Sequence, residues 1–395
     1  MECYFVIPAV MPVYSRPELA FERGEGAYLF STDGKRYLDF CSGIAVTGLG
    51  HSHPHLVEAL IEQGRKLWHT SNVFRIPGQE RLAQRLVDAS FADTVFFTNS
   101  GAEAVECGIK VVRKYYDEIG QPNRYRIIAC TNAFHGRTLA TIAAGGQEKL
   151  LKGFDPVFDG FDHVPFGNLN EMRNAVGPDT AAILIEPVQG EGGIRAADSD
   201  YMRGLRAMCD EFGLLLFLDE VQCGMGRSGK LFAHEWSGVK PDVVATAKGI
   251  GGGFPLGACL ATEKAAVGMT YGTHGSTYGG NPLAMAVGNA ALDVILGDGF
   301  LANVVRMGGV LETRFKAVAA AHPKVFGSVR GMGLIRGFEC KIPNTDVVAA
   351  LRRHGMLVVG GGDNVIRLLP PLIIDESHVE HAAEIIDLAC RELEA

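Results

Sequence analysis
Apolar runs too short to be helices recur along this chain between longer stretches in which apolar positions return every third or fourth residue. The runs at 94–97, 126–130, 181–185, 214–218, 242–245 and 257–261 are dense in Val, Ile, Leu and Phe, the composition of strands covered on both faces. Helical spacing fills 55–68, 79–89, 101–116 and 200–212. Strands and helices in alternation predict an α/β fold with a mostly parallel central sheet. Outside that block, 28–30 and 36–40 flank an Asp33-Gly34 turn and read as a hairpin. A helical stretch over 282–321 is interrupted near Gly297 and Gly299. Short strands follow at 333–338, 358–359 and 365–368, and Ser377-His378-Val379-Glu380 reads as the capping box of a last helix. The pattern predicts a large domain over 51–290 and a smaller α+β domain assembled from 1–50 and 291–395.

At 395 residues the chain exceeds one average core, consistent with two domains. A net charge of −8 without a basic run argues against nucleic acid or an anionic membrane surface as partner, so small molecules are expected. Nine scattered cysteines with no CxxC pair fit reduced thiols in a cytoplasm better than a disulfide framework. No stretch is long enough to span a bilayer. The apolar opening, residues 1–8, lacks a basic region and contains Pro8, so it is read as a loose arm reaching to about Tyr14 and not as a signal peptide.

Three local features carry chemistry. Lys248 is delivered by the run 242–246 into the glycine-rich Lys248-Gly249-Ile250-Gly251-Gly252-Gly253. Buried beside other cations, its amine would lose its proton readily and could bind an aldehyde, whereas a plain strand-end lysine would reach solvent. Asp219 closes the very apolar run 214–218, at the carboxyl end of a strand, where α/β sheets bind ligands. A buried carboxylate needs a cation there, and a protonated pyridine nitrogen would serve. Ser100-Gly101-Ala102 opens a helix directly after a strand, a turn whose free N–H groups suit a phosphate, or that merely uses Ser100 as N-cap.

A nucleotide site is the competing reading, because Gly224-Met225-Gly226-Arg227-Ser228-Gly229-Lys230 satisfies both GxxxxGK and GxGxxG. Its context fails: Leu231 stands where a hydroxyl is required, and Asp219 and Glu220 would repel a pyrophosphate. His51, His53 and His55 have metal-like spacing that a turn before a helix explains, and no metal is expected.

Taken together, Ser100-Gly101-Ala102-Glu103-Ala104, Phe134-His135-Gly136-Arg137-Thr138, Glu186-Pro187-Val188-Gln189-Gly190-Glu191, Leu218-Asp219-Glu220-Val221-Gln222, Ala247-Lys248-Gly249, Ser276-Thr277-Tyr278-Gly279 and Ile366-Arg367-Leu368 resemble the class III aminotransferases, in order and over nearly the whole chain. The resemblance implies a fold-type I transferase dependent on pyridoxal 5'-phosphate, a homodimer with shared sites. Lys248 would be the Schiff-base lysine and Asp219 the partner of the pyridine nitrogen. Ser100, Gly101, Ala102, Phe134, Glu220, Val221 and Gln222 would border the cofactor, with Thr277 reaching its phosphate from the other subunit. Arg137, with Ser276 nearby, would hold the donor's α-carboxylate, and Arg367 that of 2-oxoglutarate. Glu191 would pair with Arg367 and swing away for the acceptor. His135 is read as structural.

Within the family the likeness points to N2-acetylornithine as donor, in arginine biosynthesis. Succinylornithine, 4-aminobutyrate and ornithine stay open as alternatives. Ile44 stands where ornithine aminotransferases resemble one another in having a tyrosine, which speaks against free ornithine.

Overall fold
Alternation of side chains along the central strands explains the architecture of the computed structural model, which describes residues 7–395. In Leu215–Asp219, Leu216 and Leu218 join one buried cluster and Leu215 and Phe217 another, so the strand is covered on both faces. The same holds for its neighbours. Seven strands form the sheet in the order Thr94–Thr98, Gly257–Ala261, Val243–Thr246, Leu215–Asp219, Thr180–Ile185, Arg126–Cys130, Phe161–Val164. Gly257–Ala261 runs antiparallel to both its neighbours, and the other pairings are parallel. The mostly parallel α/β sheet expected from the apolar runs is therefore present, with Phe161–Val164 as an additional edge strand.

Helix Gly101–Glu118 lies on this sheet at very short range. A Cβ at Gly108 would fall 2.1 Å from Phe217 Cζ, so only glycine lets the helix settle there. A third buried cluster stands apart. It combines Leu38 and Phe40 with residues of helices Phe300–Ala321, Asn344–Arg353 and Glu376–Glu394. Two small sheets flank it: Phe21–Glu25, Tyr28–Ser31, Arg36–Asp39 and Met356–Leu357 in one, and Phe326–Met332, Ile335–Cys340, Val365–Leu368 and Val359–Gly361 in the other. Helices Pro282–Ile295 and Phe300–Ala321 meet at a bend of 67°, at the expected glycine break.

The last helix begins two residues earlier than its capping box was read. Asp375 is the N-cap, accepting from the N–H groups of Ser377 and His378 at 3.0 and 3.2 Å. Residues 7–13 carry no regular element, and the first six residues of the expected arm lie outside the described residues. Among the described residues no single helix is long and apolar enough to cross a membrane.

Candidate active site
The carboxyl ends of the parallel strands open onto a cavity of about 440 Å³. Asn99, Ser100, Gly101, Ala102, Phe134, His135, Arg137, Glu186, Glu191, Asp219, Val221, Gln222 and Lys248 line it. Residues read from five separate motifs thus converge on one space.

Lys248 enters from the end of Val243–Thr246 with φ of +48°, a left-handed conformation that costs a non-glycine residue on the order of 1–2 kcal/mol. Burial pushes its ammonium down to about 8, against the opposing pull of Asp219 and with added repulsion from Arg367. The amine is thus available near neutrality.

Asp219 is 4% exposed and fixed from two sides: His135 Nδ1 lies 2.8 Å from Oδ2, and the Val221 N–H donates to Oδ1 at 3.0 Å. His135 is itself buried. Burial lowers its pKa, but the hydrogen bond and charge of Asp219 outweigh that and raise it. Glu186 completes the cluster, accepting from the Phe134 N–H at 3.1 Å. Burial pushes its carboxyl up to about 7, the charge of Asp219 adds to this and His135 opposes it. Thus His135 is more than structural filling, because it aims and charge-balances Asp219.

Glu220 does not border the cavity, a correction to its expected role. Strand alternation turns it to the opposite face, where it is fully buried and accepts from the N–H groups of Ala233 and His234 and from His234 Nδ1. Its carboxylate caps the short turn Ala233–Ser237. Gly224–Lys230 is likewise occupied. Arg227 is buried and donates to the carbonyls of Leu334 and Pro370, tying the sheet to the smaller region. His51 and His55 turn to different carboxylates, Asp39 at 2.7 Å and Asp293 at 2.9 Å.

Whether these residues fit pyridoxal phosphate can be judged from their unsatisfied groups. Helix Gly101–Glu118 leaves the N–H groups of Gly101 and Ala102 without intrahelical acceptors, facing the cavity, while Ser100 Oγ accepts from the Glu103 N–H at 3.3 Å. Gln222 Oε1 is buried without a hydrogen-bond partner. An anion cradle, an aromatic ring at Phe134, an amide lacking a partner, a carboxylate and an amine match a phosphorylated pyridine aldehyde in number and kind. They fit.

The carboxylate-binding residues behave differently from one another. Arg137 is exposed, with its guanidinium 5.5 Å from the Phe134 ring centroid, and among the described residues no carboxylate pairs with it. Arg367 does not itself line the cavity. It lies behind Glu191, whose Oε2 is 2.8 Å from Arg367 Nη2. Ser276 and Thr277 are not at the cavity either, and line a neighbouring cleft with Asn99, Glu103 and His274. Val46 closes one end of the cavity, next to a left-handed turn in which Ser42, Gly43, Ile44 and Ala45 all have positive φ. Asp39 holds that turn through the N–H groups of Cys41 and Ser42, both at 2.9 Å.

A family model described as aminotransferase class-III matches residues 10–390. The chain is 60% identical over 374 residues to an acetylornithine aminotransferase of Mesorhizobium japonicum, covering 95% of this chain and 94% of that one. Its structure is similar to that of an ornithine aminotransferase from Toxoplasma gondii ME49, with a TM-score of 0.94 and 29% identity over 98% of this chain and 93% of that one. It is also similar to an N-acetylornithine aminotransferase from Stenotrophomonas maltophilia K279a, with a TM-score of 0.85 and 38% identity over 96% of this chain and 98% of that one.

Proposed function
The chain belongs to the class III aminotransferases, enzymes dependent on pyridoxal phosphate, and from that premise we propose that it moves the terminal amino group of N2-acetylornithine to 2-oxoglutarate. The products are N-acetylglutamate semialdehyde and glutamate, a step of arginine biosynthesis. What supports the reading is a lysine-lined cavity bordered by Arg137, which has no carboxylate partner among the described residues, with a second arginine, Arg367, behind the carboxylate of Glu191.

Pyridoxal phosphate, when bound, supplies the electron sink that lets a proton leave the amine-bearing carbon. Lys248 Nζ would hold its aldehyde and, as a free amine, would be the base that carries the proton from the amine-bearing carbon across the nitrogen to the next carbon. Asp219 would pair with the pyridine nitrogen, and His135 holds Asp219 in place. Gly101 and Ala102 would receive the phosphate, Phe134 would cover a ring face, and Val221 and Gln222 would border the ring. Arg137 binds the donor's α-carboxylate as a bidentate fork, and Arg367 that of 2-oxoglutarate. Ile44, 38% exposed and two residues from Val46 of the cavity wall, has no group to bond a free α-ammonium and suits an acylated nitrogen.

The enzyme acts as a homodimer in the cytoplasm. Trp68, Val73, Phe74 and Tyr278 are exposed on two segments tied together where Asn72 Nδ2 donates to the carbonyls of Ser276 and Gly279 at 3.0 and 2.9 Å. A second copy on this surface brings Ser276 and Thr277 to the other copy's cavity. The eight described cysteines are free thiols, as a reducing compartment allows. Initial rates with acetylornithine, succinylornithine, ornithine and 4-aminobutyrate against 2-oxoglutarate test the assignment. Acetylornithine is expected to have the highest kcat/KM; a clear lead for 4-aminobutyrate or ornithine overturns the substrate while leaving the reaction class.

A further inference from the structure
Glu191 has to leave Arg367 before a keto acid can bind there, and its destination is a question that rests on the reading of Arg367 just given. The two oxygens of Glu191 face cations of opposite character. Oε2 meets the guanidinium of Arg367, 4% exposed, whereas Oε1 lies 3.7 Å from the ammonium of Lys149, 66% exposed. Arg367 cannot follow a moving carboxylate, because its Nε and Nη2 also donate to Gly360 O at 3.1 and 2.8 Å. Lys149 can. It sits on the four-residue helix Glu148–Leu151, whose start is tied to the cavity loop by Gln147 Nε2 donating to Ala133 O at 2.7 Å, while its own stem reaches into solvent.

We infer that Lys149 is a positioning residue of the acceptor half-reaction: it receives Glu191 when the keto acid displaces that carboxylate from Arg367. An incoming dicarboxylate brings its negative charge to the place Glu191 has just left, so the displaced carboxylate stands close to a like charge unless a cation travels with it. The contact between Lys149 and Oε1, loose at 3.7 Å while Glu191 is on Arg367, tightens as the carboxylate rotates away and supplies that charge. The amino donor, which places no carboxylate on Arg367, leaves Glu191 where it is and makes no call on Lys149.

An ion pair this open to solvent is worth at most ~1 kcal/mol, so its loss is expected to weaken acceptor binding about two- to fivefold. In the holoenzyme, Lys149→Met is expected to raise KM for 2-oxoglutarate and the calorimetric Kd of glutarate, a dicarboxylate with no reacting group, by that factor. Lys149→Glu should raise both further and Lys149→Arg should restore them, with the rate and KM of the donor half-reaction unchanged throughout. In a Glu191→Gln background, Lys149→Met should add nothing, since the charge it accompanies is gone. Equal shifts for donor and acceptor, no shift in either, or an undiminished shift in the Glu191→Gln background each overturn the inference. If the wild-type enzyme itself binds no glutarate, the reading of Arg367 has failed and this inference falls with it; if it binds and the Lys149 variants bind equally well, this inference alone has failed.

Discussion
At the sheet end of the cavity Asp219 and His135 hold each other as fixed and buried partners, whereas at the Arg367 end one carboxylate is shared between a buried cation and an exposed one. Asp219 is held by a buried imidazole and a backbone N–H, and His135 in turn by Asp219 and the neighbouring charge of Glu186. Glu191 is held by Arg367 on one oxygen and only loosely by Lys149 on the other. The difference follows from the two tasks. Proton transfer at one carbon is common to both half-reactions and gains from groups that need not reorganise. Accepting two unlike substrates in turn needs a charge that can be withdrawn.

The sharpest way to break this contrast is at Asp219. Asp219→Asn removes the anion that balances His135 and holds the pyridine proton, and turnover is expected to fall on the order of 10²–10³-fold, the scale of losing one preorganised electrostatic contact. Single-turnover rates should fall alike in both half-reactions. A loss confined to one half would mean that the sheet end is not shared chemistry.

His135→Asn removes only the support behind the carboxylate. A hydrogen bond to a charged group is worth about 1.5–3 kcal/mol, so roughly ten- to a hundredfold is expected, again in both halves, with KM for either substrate little changed. A change in KM alone would assign His135 to substrate binding.

A gentler probe is pH. Only the neutral amine of Lys248 attacks an aldehyde, and burial sets its midpoint at about 8. Capture of cofactor by the apo-protein should therefore quicken about tenfold per unit up to that midpoint and level off above it. A midpoint near that of an ordinary lysine would mean that Lys248 is not desolvated.

Much of the sheet end is legible in the sequence because it is built locally. An apolar run ending in Asp219, another ending in Lys248, and a strand followed by Ser100-Gly101-Ala102 each place their own residue at a strand's carboxyl end. What escapes the sequence is pairing at a distance. His135 and Asp219 are 84 residues apart, and nothing near either announces the other. Lys149, in a four-residue helix, is as anonymous as any surface lysine. Glu220 is misread because its neighbour is the functional residue, and alternation along a strand sends adjacent side chains to opposite faces. Alternation read strictly would have separated the two. Strand Phe326–Met332 is hidden by its composition, since Gly327, Arg330 and Gly331 interrupt any apolar run. The N-cap Asp375 is passed over in favour of Ser377, an equally good capping residue two positions on.

The central claim is that one amine, Lys248 Nζ, holds the cofactor. Borohydride reduction of the holoenzyme followed by peptide mass mapping tests it directly. The account predicts a single pyridoxyl-phosphate adduct, on the peptide containing Lys248, lost in Lys248→Ala together with the visible absorption band and turnover. An adduct on another lysine, or a coloured and active Lys248→Ala enzyme, would contradict it.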